Sequence, residues 1–286
     1  MFYIYTQHHF LGTGIRDKDF LLLMDTLHTN KIEYDFLPKD FSNVEFTDDD
    51  FVYLNIGSVY LDEFLEQKHI LDNKNVFPNI QGMIDTYNKD VCNEHCKQNN
   101  IPIPKTFNSI QDISQDDFPL IFKPVSGSLG EHIALCNSVE DINNQINLLI
   151  EDEHYFNKNY ILQEFINTGN MPIKYRVIFI GREILVSYKA ESKYDEVVCT
   201  LGDDQWPNIT INPNNENVLQ LAQKFIDTVG KNCNFGALDI IQDLEGNCYL
   251  LELNGPTKLY RASQGIGINL YESIINYILT KNTNKL

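Results

Sequence analysis

The chain has 286 residues, 43% of them hydrophobic and 22% charged, with 22 Lys and Arg against 40 Asp and Glu for a formal net charge of −18. That length suits about two domains with a sizeable core, and the balance is that of a soluble globular protein. So negative a chain without a basic run argues against nucleic acid or an anionic membrane as partner, because phosphate attracts positive surface.

Residues 1 to about 80 alternate short apolar strands with helical stretches: Phe2 to Tyr5, Asp17 to Thr29, Tyr34 to Leu37, Phe51 to Ile56 and Tyr60 to Leu71. That rhythm predicts a small parallel α/β domain. Gly12 and Gly14 follow the first strand, but the third glycine of a dinucleotide fingerprint is missing, so they read as loop glycines. Asp85 to Gln98 reads as one helix, stopped by Asn99, Asn100 and the Pro102/Pro104 pair. An extended segment Pro104 to Phe107 follows, then a strand Pro119 to Pro124, the Ser/Gly stretch Ser126 to Gly130, and a returning strand Ile133 to Cys136. A helix from Ser138 to Glu151 and a strand Tyr160 to Phe165 complete this middle module.

Beyond Ile173 the pattern turns antiparallel, with Tyr175 to Ile180 and Glu183 to Lys189 joined at Gly181-Arg182. Lys193 to Asn214 reads as a long polar loop, Glu216 to Val229 as a helix, and Tyr271 to Leu279 as the closing helix, with a frayed tail from Asn282. The six cysteines, Cys92, Cys96, Cys136, Cys199, Cys233 and Cys248, lack zinc-type clustering and read as reduced thiols. Cys92, His95 and Cys96 share a helix side, but no second ligand pair follows at zinc spacing. The first residues carry neither basic flank nor cleavage site, and no apolar run approaches membrane-spanning length, so a cytoplasmic location is expected.

Two stretches carry chemistry. Phe235 to Ile241 and Leu250 to Asn254 flank the acidic turn Asp243 to Asn247 and predict a hairpin. Within its apolar strands stand Asp239, Glu252 and Asn254. The last two are two residues apart and face the same way, so three hard oxygen donors converge, a set suited to Mg²⁺ completed by substrate phosphates. Separately, Lys123 ends a strand just before Ser126-Gly127-Ser128-Leu129-Gly130. Backbone N–H groups of such a loop approach phosphate while an ammonium neutralises its charge.

The order of these pieces resembles the ATP-grasp superfamily, and within it the RimK-like carboxylate-amine ligases, from about residue 76 onward. The resemblance is carried by Asn88-Lys89 before Ile101-Pro102-Ile103-Pro104-Lys105-Thr106, by Lys123-Pro124 to Gly130, and by Gln163-Glu164-Phe165-Ile166. It continues through Tyr175-Arg176-Val177, Gly236 to Ile240, Glu252-Leu253-Asn254-Gly255-Pro256 and Gly265 to Asn269. It implies an α/β (α+β) ATP-grasp fold with an N-terminal parallel pre-ATP-grasp domain over 1–84 and an ATP-grasp domain over 85–286. The latter would divide into a small lid at about 105–165 and a C-terminal antiparallel catalytic part over 166–286.

The resemblance further implies ATP and Mg²⁺ as cofactors. Lys89 and Lys123 would hold nucleotide phosphates, Ser126, Gly127, Ser128 and Gly130 would form a lid loop, and Gln163, Glu164, Phe165 and Ile166 would present backbone to adenine. Asp239, Glu252 and Asn254 would hold the metal, with Arg176, Lys123 and Asn254 at the reaction centre. Beside those roles stand plainer ones: a surface position for Lys89, a cross-strand ion pair for Arg176, and a purely structural side chain for Glu164.

The implied activity is amide-bond formation between a carboxylate, activated as an acyl phosphate, and an amine, and the resemblance allows an amino acid added to a peptide or protein carboxylate, a macrocyclising amide bond in a ribosomal peptide, or a small dipeptide or glutathione-type product. A non-catalytic ATP-binding regulator of the same fold is the alternative, and a homo-oligomer is compatible with either. Lys174-Tyr175-Arg176 stands where these ligases commonly have Asp-x-Arg, Gly130 is followed by Glu131-His132, and Lys193 to Asn208 lacks their substrate loop. These departures point to a different acceptor. Lys174, Lys189, Lys193, Lys258 and Arg261 are the basic residues expected to line the cleft.

Overall fold

The computed structural model describes residues 1–6, 18–56, 61–125, 131–153, 158–192, 208–255 and 259–283. Gly12, Gly14, the Ser126 to Gly130 stretch, most of the Lys193 to Asn214 loop, Lys258 and the last three residues of the tail lie outside them.

The first strands are β1 (Phe2–Thr6), β2 (Tyr34–Phe36), β3 (Phe51–Asn55) and β4 (Asn75–Phe77), interleaved with helices α1 (Lys18–Thr29), α2 (Leu61–Gln67) and α3 (Ile80–Thr86). All pair in parallel, in the order β2-β1-β3-β4. A parallel sheet covered on both faces needs strands apolar at every position, and Phe51, Val52, Tyr53 and Leu54 of β3 are all buried. Their alternation divides them between two cores. Val52, Leu54 and Tyr5 pack on Leu61 and Phe64 of α2. Phe2, Ile4, Phe51 and Tyr53 face the other way, into a core shared with Phe235, Leu270, Tyr271 and Ile274 near the C-terminus.

Helix α4 (Lys89–Gln98) leads into an antiparallel sheet of β5 (Thr106–Phe107), β6 (Leu120–Pro124), β7 (Ala134–Cys136) and β8 (Tyr160–Glu164), ordered β5-β8-β6-β7. Helix α5 (Val139–Glu151), capped by the Ser138 side chain, covers one face and builds a separate small core from Phe107, Leu120, Phe122, Ile142 and Leu162.

The third sheet holds β9 (Ile173–Ile180), β10 (Glu183–Glu191), β11 (Asn208–Ile211), β12 (Phe235–Gln242) and β13 (Cys248–Asn254), ordered β11-β10-β9-β12-β13 and antiparallel throughout. One face, with Val177, Phe179, Leu238, Ile240 and Leu250, rests on α4 and α6 (Glu216–Asp227) through Cys92, Cys96, Leu221 and Phe225. The cysteine-bearing side of α4 is therefore core. Helices α7 (Tyr260–Ile266) and α8 (Leu270–Thr283) close the chain, and the Asp19 carboxylate of α1 accepts the Tyr260 amide at 2.8 Å, tying both ends together.

The single helix expected over Asp85 to Gln98 is two helices. The Lys89 amide donates to Val125 O at 3.3 Å rather than into a helical ladder, and Asn88 is extended at φ −85°, ψ 126°. The buried Tyr87 ring wedges the break against the hairpin: a Cβ on Gly255 would lie 2.1 Å from it, so only glycine fits there. Strands β4 and β11 and helices α3 and α7 were not expected from the sequence. Among the described residues the Tyr87 hydroxyl is buried with no hydrogen-bond partner. Removing an orphaned donor recovers its desolvation cost. Tyr87→Phe should therefore leave stability unchanged or raise it by up to about 1 kcal/mol, measured as the denaturant midpoint. A clear loss would show the hydroxyl to be held.

Candidate active site

Strand register assembles the charged groups. Arg176 on β9 lies directly opposite Asp239 on β12, and Asp239 directly opposite Glu252 on β13. Side chains alternate along a strand, so Lys174, Arg176, Ile178 and Ile180 share one face of β9. Ile178 and Ile180 enter the core with the first sheet. The same face thus changes along its length from an apolar anchor to a charged floor.

Asp239 is 1% exposed. Arg176 grips it in bidentate fashion, Nε to Oδ1 at 2.6 Å and Nη2 to Oδ2 at 2.7 Å, while Lys174 Nζ donates to Oδ2 at 3.0 Å. Burial alone would raise this carboxyl, but Arg176 and then Lys174 outweigh it and hold the group well below the ordinary carboxylate range. Asn254 Nδ2 donates to Asp239 Oδ2 at 3.1 Å and to Glu252 Oε1 at 3.4 Å, and Lys89 Nζ lies 3.6 Å from Glu252 Oε2.

The β5–β8 sheet supplies the opposing wall. Lys123 Nζ donates to Gln163 Oε1 at 2.7 Å, and Gln163 Nε2 to Thr106 Oγ1 at 3.2 Å. Burial pushes the Lys123 ammonium down to about 8, with the fields of Glu252, Lys89, Asp239 and Lys174 all reaching it. Lys89, Lys123, Lys174 and Arg176 thus face two carboxylates, a local positive excess in a chain of net charge −18. Such a cleft attracts and focuses a polyanion.

The residues fit a divalent cation. Like charges directly opposite on neighbouring strands repel, and Asp239 with Glu252 is such a pair. Two carboxylates and an amide oxygen are the hard donors Mg²⁺ takes, leaving positions for water and phosphate. Among the described residues no three His, Cys, Asp or Glu side chains cluster suitably, so a metal here depends on Asn254 turning its amide oxygen inward and on ligand oxygens. Arg176 and Lys174 at Asp239 and Lys89 near Glu252 now supply the positive charge that the two carboxylates need, and the Asn254 amide donates to both.

The structure thus gathers Lys89, Lys123, Arg176, Asp239, Glu252 and Asn254. Gln163 joins them by its side chain, on Lys123. Beyond it, the Glu164 amide donates to Lys105 O at 2.8 Å and that of Phe165 to Pro119 O at 3.4 Å, while Glu164 Oε2 accepts from Lys105 N at 3.3 Å. An adenine contact by this segment would fall to its carbonyls or to the Ile166 amide. Ser126, Gly127, Ser128 and Gly130 lie outside the described residues. Of the basic residues expected to line the cleft, Lys174 does so, Lys189 pairs with Glu191 at 2.5 Å, and Arg261 is exposed on α7.

Tyr188 was not anticipated. It lies opposite Arg176 on β10, within the fields of Arg176, Asp239 and Arg261. Its only sequence signal is register on a strand whose partner is unknown until the sheet order is known.

A lysine-bearing antiparallel sheet closing over an Asp and Glu-x-Asn pair on a second antiparallel sheet defines an ATP-grasp protein. Residues 90–278 match the RimK-like ATP-grasp domain, and the chain belongs to that family. It is 28% identical over 165 residues to the alpha-aminoadipate–LysW ligase LysX of Saccharolobus solfataricus, a match spanning 55% of this chain and 57% of that protein. Among solved structures, the D-cycloserine synthetase DcsG superposes with a TM-score of 0.71 at 12% identity, covering 97% of this chain and 99% of that one. The macrocyclase MdnC of Microcystis aeruginosa, bound with its precursor peptide MdnA, gives 0.66 at 13%, covering 98% and 100%. These two likenesses speak to the fold.

Proposed function

We propose that the protein is an ATP- and Mg²⁺-dependent carboxylate-amine ligase. The observation that carries this is the convergence of Lys89, Lys123 and Arg176 with Asp239, Glu252 and Asn254 from a helix and two facing sheets. In this reading a substrate carboxylate oxygen attacks the γ-phosphorus of ATP, the bond to the bridging oxygen breaks, and ADP leaves. The amine then attacks the acyl carbon of the acyl phosphate, the bond from that carbon to the phosphate oxygen breaks, inorganic phosphate departs with its electron pair, and the nitrogen gives up a proton to leave the amide.

Mg²⁺ held by Asp239, Glu252 and Asn254 would neutralise β- and γ-phosphate oxygens. Lys89 and Lys123 hold phosphate charge from the helix and lid sides. Arg176, locked by its bidentate pair, presents a fixed guanidinium edge to the reacting oxygens. No covalent protein nucleophile is needed.

For substrates we propose an amino acid joined to a peptide or protein. The LysX and MdnC names support that class, and the altered loop after Lys193 supports a different acceptor. The test is ADP release from the full chain with ATP and Mg²⁺, screened over pools of carboxylates and amines. Release requiring both pools supports the ligase. Nucleotide binding without such release would favour the regulatory alternative.

Lys123 makes the phosphate assignment pH-dependent. Phosphate binds the ammonium form, which the free protein loses as pH rises through about 8. Affinity for a non-hydrolysable ATP analogue should fall above that pH, by at most about tenfold per pH unit for one linked proton. Lys123→Arg should flatten the profile, because a guanidinium stays charged. Calorimetric titration between pH 7 and 9.5 checks this, and a flat wild-type profile would remove Lys123 from the phosphates.

A further inference from the structure

We infer that Gln163 is a positioning residue for Lys123: its side chain, itself oriented by Thr106, tethers the ammonium through a neutral acceptor and so leaves the positive charge for phosphate. The inference rests on the phosphate role proposed above for Lys123.

Strand register makes the contact. Thr106 on β5 lies directly opposite Gln163 on β8, and Gln163 lies opposite Ile121 on β6, two residues before Lys123. Residues two apart on a strand share a face, and diagonal neighbours on adjacent strands are within reach of long side chains. Thr106, Gln163 and Lys123 therefore form a row across β5, β8 and β6, strands adjacent in that order.

The hydrogen bonds run one way along the row. An ammonium can only donate, so the Gln163 atom 2.7 Å from Lys123 Nζ is the carbonyl oxygen Oε1. The Thr106 hydroxyl has one hydrogen and gives it to Pro104 O at 2.9 Å. Toward Gln163 it can then only accept, and it takes an Nε2 hydrogen at 3.2 Å. Both ends select the same orientation of the amide. Gln163 is 1% exposed, so a turned amide would set its N–H groups against the ammonium with little water to repair the mismatch.

The acceptor's neutrality matters because the neighbouring cations face carboxylates. Lys174 and Arg176 bond to Asp239, and Lys89 lies 3.6 Å from Glu252. Lys123 bonds to an amide, while Glu252, Asp239, Lys89 and Lys174 reach it through their fields. A neutral oxygen fixes where the ammonium points and favours its charged form against burial, yet brings no negative charge to repel a phosphate. A carboxylate at the same place would hold the lysine more tightly and compete with phosphate for it.

The test follows the Lys123 Cε resonance of the ligand-free full chain by carbon NMR as pH rises, assigned with Lys123→Arg. Gln163→Glu should raise the midpoint of Lys123 proton loss by at least about one pH unit, because an adjacent carboxylate favours the ammonium. The same variant should bind a non-hydrolysable ATP analogue with Mg²⁺ at least about tenfold more weakly at pH 7 by calorimetry, through like-charge repulsion. A side chain that only filled space would weaken binding without raising the midpoint. Gln163→Met should lower the midpoint by at least about half a pH unit, since the ammonium loses its acceptor. Thr106→Val, of similar shape, should lower it by at least about 0.3 pH unit, and Thr106→Ser should restore it.

An unmoved midpoint in a folded Gln163→Met overturns the proposal, and this variant is read alone if Gln163→Glu does not fold. An unmoved midpoint in Thr106→Val removes the orienting end and overturns it equally. Wild type whose affinity for the analogue falls above about pH 8, beside variants whose midpoints stay at the wild-type value, refutes the tether and leaves the phosphate reading standing. Midpoints that move as stated, beside a wild type whose affinity ignores pH, support the tether and refute the phosphate role of Lys123.

Discussion

Asp239→Ala should cost the fold about 3–5 kcal/mol, the range expected when one member of a buried charge network is deleted. Arg176 and Lys174 both depend on Asp239. Without it a guanidinium that cannot deprotonate and an ammonium share a sheet face on which Glu252 is the remaining carboxylate of the gathered site residues, and Lys89 already lies against that one. The penalty therefore comes mostly from stranded cations rather than from lost attraction. Asp239→Leu combined with Arg176→Met and Lys174→Met should recover much of the loss, since an apolar replacement of a buried network is often neutral.

The pH dependence has a definite sign. The Asp239 carboxyl is depressed in the folded state, so its stabilisation is complete above the ordinary carboxylate range and is lost as pH falls toward the depressed value. The Asp239→Ala protein should lack that acid-limb contribution. Denaturant midpoints at pH 7 and pH 3 measure both effects, and a single substitution within about 1 kcal/mol of wild type at pH 7 would show the network to be energetically idle.

The same residues show how far the sequence could be read. Asp239, Glu252 and Asn254 stood out because polar side chains inside apolar strands need a reason, and the hairpin formed where the Asp243 to Asn247 turn placed it. A cross-strand ion pair was legible for Arg176, but not that its partner is Asp239, because that requires β9 to lie between β10 and β12, a property of sheet order that no local spacing encodes. Lys174 was visible as a departure from Asp-x-Arg and as a basic residue of the cleft, whereas its ion pair with Asp239 follows from that same hidden order. The break at Tyr87-Asn88 was invisible for a related reason. It is enforced by Val125 and Gly255, distant in the chain, over a stretch whose own pattern reads as continuous helix. Strand β11 exists by pairing with β10, although its Asn- and Pro-bounded sequence reads as loop.

Glu252→Ala should separate catalysis from folding in a way Asp239→Ala cannot. The Glu252 side chain is 30% exposed and its cationic neighbour Lys89 lies 3.6 Å away at the start of a helix. A pair this long and open on its Glu252 side contributes little, and the melting temperature should stay within a few degrees of wild type. In the proposed reaction its charge has no full substitute, because the charge of Asp239 is shared with Arg176 and Lys174. In that reading Glu252 is the more open of the two carboxylates that would hold the metal, and losing it would leave developing charge on the transferred phosphoryl group uncompensated. Removal of one such electrostatic contact costs about 10²–10³ in kcat, and loss of the metal with it should bring ADP release to background. Single-turnover ADP release alongside a thermal melt reads both quantities. A Glu252→Ala protein that melts normally and turns over at the wild-type rate would place the metal, and with it the reaction, elsewhere.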